Sequence, residues 1–158
     1  MRKISVASVL VLAMAAGPSE AIDKGKAMYV GGTLVGVAEK TEGPIYLKGA
    51  EKLAFMPKGS VVEVPWSRVE DVEYGQKAGR RIKTAILISP LALFGKSRKH
   101  YVTLAFKDEK DSEQVAVFEF DKDDIRMALA VIKARTGKEI TFQDEEAKKQ
   151  MGGGSAKE

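Results

Sequence analysis

Along most of this chain, apolar residues come in short runs separated by glycine, proline and charged residues, the punctuation expected of short strands. Thr33-Leu34-Val35-Gly36-Val37 is the first strand this pattern predicts, bent or bulged at its glycine, and residues 22–28 before it read as a loose leader. Gly43-Pro44 then opens Ile45-Tyr46-Leu47. Leu53-Ala54-Phe55-Met56 follows and stops at the turn signal Pro57-Lys58-Gly59. Val61-Val62-Glu63-Val64-Pro65 alternates as a strand should, and Val69, Val72 and Tyr74 carry extended chain beyond Trp66. The densest strand candidates are residues 101–106 and 115–120, rich in β-branched and aromatic side chains. Residues 107–114 between them are almost wholly charged or polar and predict a solvated hairpin loop.

The period then changes. Ile125, Ala128, Leu129 and Ile132 recur at the spacing of one helical face. Asp121 is placed to cap a helix over residues 122–136, with Asp124 completing a capping-box-like pair. Asp123 and Asp124 in the first turn, and Lys133 and Arg135 in the last, complement the helix dipole. Gly137 supplies the stop. Beyond it, Ile140-Thr141-Phe142 is a short segment that can tie down the end. Residues 144–158 read as a polar, flexible tail, with a frayed helical turn over 144–151 and a glycine-rich stretch at 152–155.

Several strands followed by one amphipathic helix predict an α+β fold: a strongly bent antiparallel β-sheet, or split barrel, capped by one C-terminal amphipathic helix. The expected organisation is a domain over residues 29–143 with its helix at 122–136.

The order of elements resembles the pleckstrin-homology-like (PH-like) superfold, in particular the bacterial PH-like and GRAM-like domains. The likeness is carried by Leu53-Ala54-Phe55-Met56-Pro57-Lys58-Gly59 and by Val62-Glu63-Val64-Pro65-Trp66-Ser67-Arg68-Val69-Glu70-Asp71-Val72. The hairpin over 101–120 and the helix over 122–136 complete it. The resemblance implies a binding module, since PH-like domains take phosphoinositides or peptides, while fold alone assigns no ligand. The basic motif that lipid-binding members carry in the first hairpin is replaced here by Glu39-Lys40-Thr41-Glu42-Gly43, which is mixed in charge.

The N-terminus changes the expected location. Arg2 and Lys3 precede a thirteen-residue apolar run over 4–16, and Ser19-Glu20-Ala21 forms an A-x-A-like cleavage site. The run is shorter than the ~20 residues a spanning helix needs, so residues 1–21 read as a signal peptide cleaved near Ala21. The mature chain is then expected outside the cytoplasm, periplasmic or secreted.

Charge becomes informative once it is divided. The 158 residues carry 26 Lys plus Arg against 22 Asp plus Glu, a formal +4. Residues 77–100 hold Lys77, Arg80, Arg81, Lys83, Lys96, Arg98 and Lys99 and no acid, which is +7. With +1 in the leader, the rest of the chain is −4. Inside the basic segment lies Ala85-Ile86-Leu87-Ile88-Ser89-Pro90-Leu91-Ala92-Leu93-Phe94-Gly95. As a helix it would reach only ~16 Å, about half a hydrocarbon core, and Pro90 would interrupt it. Two readings stay open. Leu91, Leu93 and Phe94 dip into a membrane interface between flanking cations, or the apolar run packs on the domain and the cations are simply solvated. The expected partner is an anionic lipid surface or a protein. Nucleic acid is a poor fit, because the segment interleaves few aromatics with its cations.

Catalytic chemistry finds little to work with. Without cysteine, thiolate zinc sites, cysteine nucleophiles and dithiol redox chemistry are excluded, and a single histidine argues against most histidine-based catalysis and multi-histidine metal sites. His100 follows Ser97 by three residues, but no nucleophile elbow surrounds them, and a structural role is expected for His100. Asp108-Glu109-Lys110-Asp111-Ser112-Glu113 lacks the glycine and glutamate spacing of a calcium loop. Glu70, Asp71 and Glu73 are expected to pair with Arg68 or the basic segment. No phosphate-binding glycine loop occurs, and neither cofactor nor metal is expected. The chain thus reads as non-enzymatic. A small hydrolase or metal-dependent enzyme, and a structural domain that self-associates through its apolar run, are the alternatives.

Overall fold

A computed structural model of the chain describes residues 25–76 and 99–152. The signal peptide expected at 1–21 therefore lies outside the described residues, as do Lys77, Arg80, Arg81, Lys83, Leu91, Leu93, Phe94, Lys96 and Arg98 of the expected contact segment.

Eight strands form a single sheet: β1 (Gly25–Gly32), β2 (Thr41–Tyr46), β3 (Lys52–Phe55), β4 (Val62–Pro65), β5 (Val69–Gly75), β6 (His100–Lys107), β7 (Glu113–Phe120) and β8 (Ile140–Phe142). Their order across the sheet is β4-β3-β2-β1-β7-β6-β5-β8. Two helices complete the described chain, α1 (Ile125–Thr136) and α2 (Glu145–Gln150), and a 3₁₀ turn at Trp66–Arg68 joins β4 to β5. The fold is α+β, as expected. The sheet is mixed rather than purely antiparallel, because β8 lies parallel to β5.

Alternation along the strands explains the bend. Tyr29, Ile45, Phe55, Val64, Val72, Tyr74, Leu104 and Phe118 all point to one side and join a single buried cluster. Residues of β4, at one edge, and of β5, near the other, share that cluster, so the sheet curves around its contents. No pairing among the described residues joins β4 to β8, and the sheet stays unclosed. The inner space is filled by α1, whose Ile125, Ala128, Leu129 and Ile132 are the residues that the helical period marked. Each such aliphatic or aromatic side chain adds ~1.5–3 kcal/mol when removed from water.

Four expectations need correcting. The first strand is Gly25–Gly32, not 33–37, so residues 25–28 are no loose leader. Residues 33–37 have apolar character but no strand beside them, and Val35 is 95% exposed. What ends β1 is Gly32, at φ +136°, where a side chain would collide with the backbone of Val115. Thr33 then closes the corner by donating from Oγ1 to the Val115 carbonyl while accepting the Val115 amide at 2.9 Å.

Second, α1 begins at Ile125, three residues later than the expected start. The Asp121 carbonyl accepts the amides of Asp124 and Ile125, both at 3.1 Å, and Asp124 takes the N-cap position without a side-chain capping bond. Gly137 does terminate the helix, in the left-handed conformation at φ 66°. Third, α1 is not the last element. After it β8 pairs with β5, and the Gln143 amide donates to the Tyr74 carbonyl at 3.0 Å. Fourth, the helical turn expected within 144–151 is present as α2 over residues 145–150 but is not frayed: the Asp144 carboxylate caps it on the Ala147 amide at 2.8 Å, and buried Ala147 seats it.

Candidate functional site

The basic segment leaves the sheet at the end of β5 and returns at the start of β6. Gly75 stands opposite Tyr101 in the β5–β6 register, so the two ends of the segment meet at one place on the sheet. Of the ten residues expected to make contact, Lys99 alone is described. Its Nζ lies 2.7 Å from Oε1 of Glu119 on β7. Glu119 also holds the phenol of Tyr101. Burial, reinforced by this carboxylate, pushes the Tyr101 hydroxyl up to about 12. Lys99, Tyr101 and Glu119 therefore form one charged knot at the root of the segment.

The opposite side of the same root is closed by His100. Its Nδ1 lies 2.7 Å from the Tyr74 hydroxyl, and the two rings stack with centroids 6.0 Å apart. Burial is the main cause that lowers the imidazole pKa, with the Lys122 charge adding to it. The ring is thereby held neutral. Burial also pushes the Tyr74 phenol up to about 12, helped by Asp144, so it keeps its proton and is suited to donate to Nδ1. Phe142 packs edge-on against Tyr74. The partner that orients the imidazole is a phenol, not a carboxylate, and the pair binds β5, β6 and β8 together. Ser97, the expected neighbour of His100, lies outside the described residues.

The acidic clusters resolve into local bonds. Asp108 accepts the amides of Lys110 and Ser112 at 2.8 and 2.9 Å and the Gln114 side-chain amide at 2.9 Å. The bond from Ser112 is the largest cause that lowers its carboxyl pKa. Arg68 bonds to the carbonyl of Asp108 and to the carboxylate of Asp111, rather than to the neighbouring acids of β5. Glu70 pairs with Lys107 at 3.2 Å. Among the described residues no three His, Asp or Glu side chains gather as a metal site.

Two small cavities border this region. A cleft of about 110 Å³ is edged by Lys26, Glu42, Glu119 and Asp121, and an apolar gap of about 20 Å³ separates α1 from β1 and β2. Both are well below the ~300–1,000 Å³ of a typical small-molecule site. Among the described residues, no helix is long and apolar enough to cross a membrane. No protein-family model and no curated protein matches the chain.

Sequence reasoning did not single out Glu119, Tyr101 or Tyr74 at this root. For Glu119 a signal existed: it is the only charge inside the apolar run 115–120.

Proposed function

We propose that this chain is a non-catalytic, extracytoplasmic PH-like module that contacts an anionic membrane surface through the cations of segment 77–99. The observation that carries the reading is the concentration of seven cations and no acid in one connection of a chain that is otherwise net negative. Each cation held near an anionic surface contributes ~1 kcal/mol. The segment is joined to the sheet at the adjacent ends of β5 and β6, with Gly75 opposite Tyr101, which supports the reading further. The PH-like part of the reading is supported by a four-strand meander, a second run of three antiparallel strands, and a helix that fills the bent sheet.

The test is sedimentation of the chain with phosphatidylserine-containing and neutral vesicles across a salt series. The expected result is binding to anionic vesicles alone, lost as salt rises, and weakened when Lys77, Arg80, Arg81 and Lys83 are changed together to glutamine. Absence of binding to anionic vesicles at low salt would overturn the reading.

A further inference from the structure

Bonds and ring contacts at the edge of β5 converge on Tyr74. Its hydroxyl meets Nδ1 of His100 at 2.7 Å, and its ring stacks on the imidazole. Phe142 of β8 packs edge-on against that ring, and the Tyr74 carbonyl accepts the Gln143 amide at 3.0 Å. Tyr74 thus holds β8 through ring and backbone, while His100 holds Tyr74.

The strap made of β8 and α2 is a lightly held part of the fold. β8 ends the sheet, pairs with β5 over three residues, and none of its side chains is fully buried. The Gln143 side chain lies across Gly75, Ala147 is buried, and Gln150 bonds to the Gln76 side chain at 2.6 Å and to Arg126 at 3.2 Å. β6, by contrast, is paired along most of its length on both sides. A short element at an edge opens more readily than a strand inside the sheet.

A neutral imidazole offers Nδ1 as an acceptor, whereas an imidazolium has only donors. Protonation therefore leaves the Tyr74 hydroxyl facing an N–H, with Tyr74 fully buried and His100 8% exposed. We propose that this pair is an acid-operated latch: protonation of His100 releases β8 and α2 from the edge of β5 while β5, β6 and β7 stay paired. Lifting Phe142 away lets water reach the pair without unpairing β5 from β6, and it frees the outer edge of β5.

The charges around the latch fit this direction. Lys122, just beyond β7, opposes an imidazolium, as does burial of the ring. Asp144 of the strap acts on the Tyr74 phenol, and β8 itself carries no charge. Glu73 follows the alternation of β5 to the other face, and Lys99 and Glu119 pair with each other at 2.7 Å. One proton taken up on opening raises the opening constant by at most about tenfold per pH unit. The rise begins below the ordinary histidine value of ~6.5 and levels off below the lowered folded value.

Amide exchange read by NMR on the full chain, corrected for the intrinsic rate, tests the latch between about pH 7.5 and about pH 5. Protection of the Gln143 amide is expected to fall at least about threefold, with the amides of β6 and β7 unchanged. His100→Gln is expected to abolish the fall, and Asp144→Asn to keep it. Unchanged protection at Gln143, an equal loss across β6 and β7, a fall that survives His100→Gln, or one that Asp144→Asn removes overturns the proposal. A second measurement leaves the histidine in place. His100 is the sole histidine, so its ring signal is read directly. In Phe142→Ala its titration midpoint is expected to move up toward ~6.5, because an open strap relieves its burial. An unmoved midpoint overturns the proposal. Neither readout depends on vesicle binding.

Discussion

Changing Tyr74 to phenylalanine removes one oxygen from a fully buried position and leaves the imidazole of His100 facing it with an unpaired Nδ1. A typical buried hydrogen bond contributes ~0.5–1.5 kcal/mol, and an orphaned buried acceptor costs ~1–3 kcal/mol. The ring of Tyr74 also packs on His100 and Phe142, contacts that phenylalanine keeps, so the loss should be near ~2 kcal/mol. With a urea slope of ~1–3 kcal/mol/M, the midpoint should fall by about 1 M. Trp66 is the only tryptophan, is buried, and donates from Nε1 to the Gly49 carbonyl at 2.9 Å, so its fluorescence reports the unfolding. The same pair makes stability depend on pH. His100 has a lowered folded pKa, so its contribution is fully present above the unfolded value of ~6.5 and is lost as pH falls through the folded value. One such group gives a slope of at most ~1.4 kcal/mol per pH unit. The gap between wild type and Tyr74→Phe should be widest at pH 8 and narrow only as pH falls through the lowered folded value of His100, since protonation removes the acceptor. An unchanged urea midpoint for Tyr74→Phe at pH 8 would refute the role assigned to this pair.

Other consequences are open to direct measurement. Ile132→Ala, in the centre of the core, should cost ~2–5 kcal/mol by urea denaturation, whereas Met127→Ala on the exposed side of α1 should change stability by less than ~0.5 kcal/mol. Gly43→Ala should destabilise by more than ~1 kcal/mol, because a Cβ there would lie 2.7 Å from Cα of Pro57, a backbone atom that cannot swing away. In Glu119→Gln, the Tyr101 phenol should ionise at lower pH than its present value of about 12 while staying above the ordinary 10, since burial persists; ultraviolet difference titration reads this. Asp108 should titrate below the ordinary carboxylate range by NMR, and Asp108→Ala should speed amide exchange at Lys110 and Ser112.

Local pattern was sufficient wherever one stretch of chain carried its own instruction. The four inward residues of α1, the stop at Gly137 and the strands around 53–55, 62–65, 101–106 and 115–120 were legible because their periods and breakers are local. The first strand was not. Residues 33–37 are as apolar as 25–32, and only the presence of β2 and β7 beside β1, with Gly32 pressed against Val115, decides which stretch is paired. The start of α1 moved for a related reason: Asp121 is a good cap in isolation, but its residue follows directly from β7, and its carbonyl serves a turn before the helix proper. Residues 140–142 were legible as a tie for the chain end, but their parallel pairing was not, since three residues acquire a partner only when α1 returns the chain beside β5.

The sequence by itself determined where charge is concentrated: an acid-free, seven-cation segment stands out in any fold because charge is a property of the residues. It also determined which chemistries are closed to a chain without cysteine and with a single histidine. Only the tertiary structure decided what the ends of that segment touch. Lys99 meets Glu119, His100 meets Tyr74, and a second buried face faces away from the core, because these residues are far apart in sequence and become neighbours only through strand pairing.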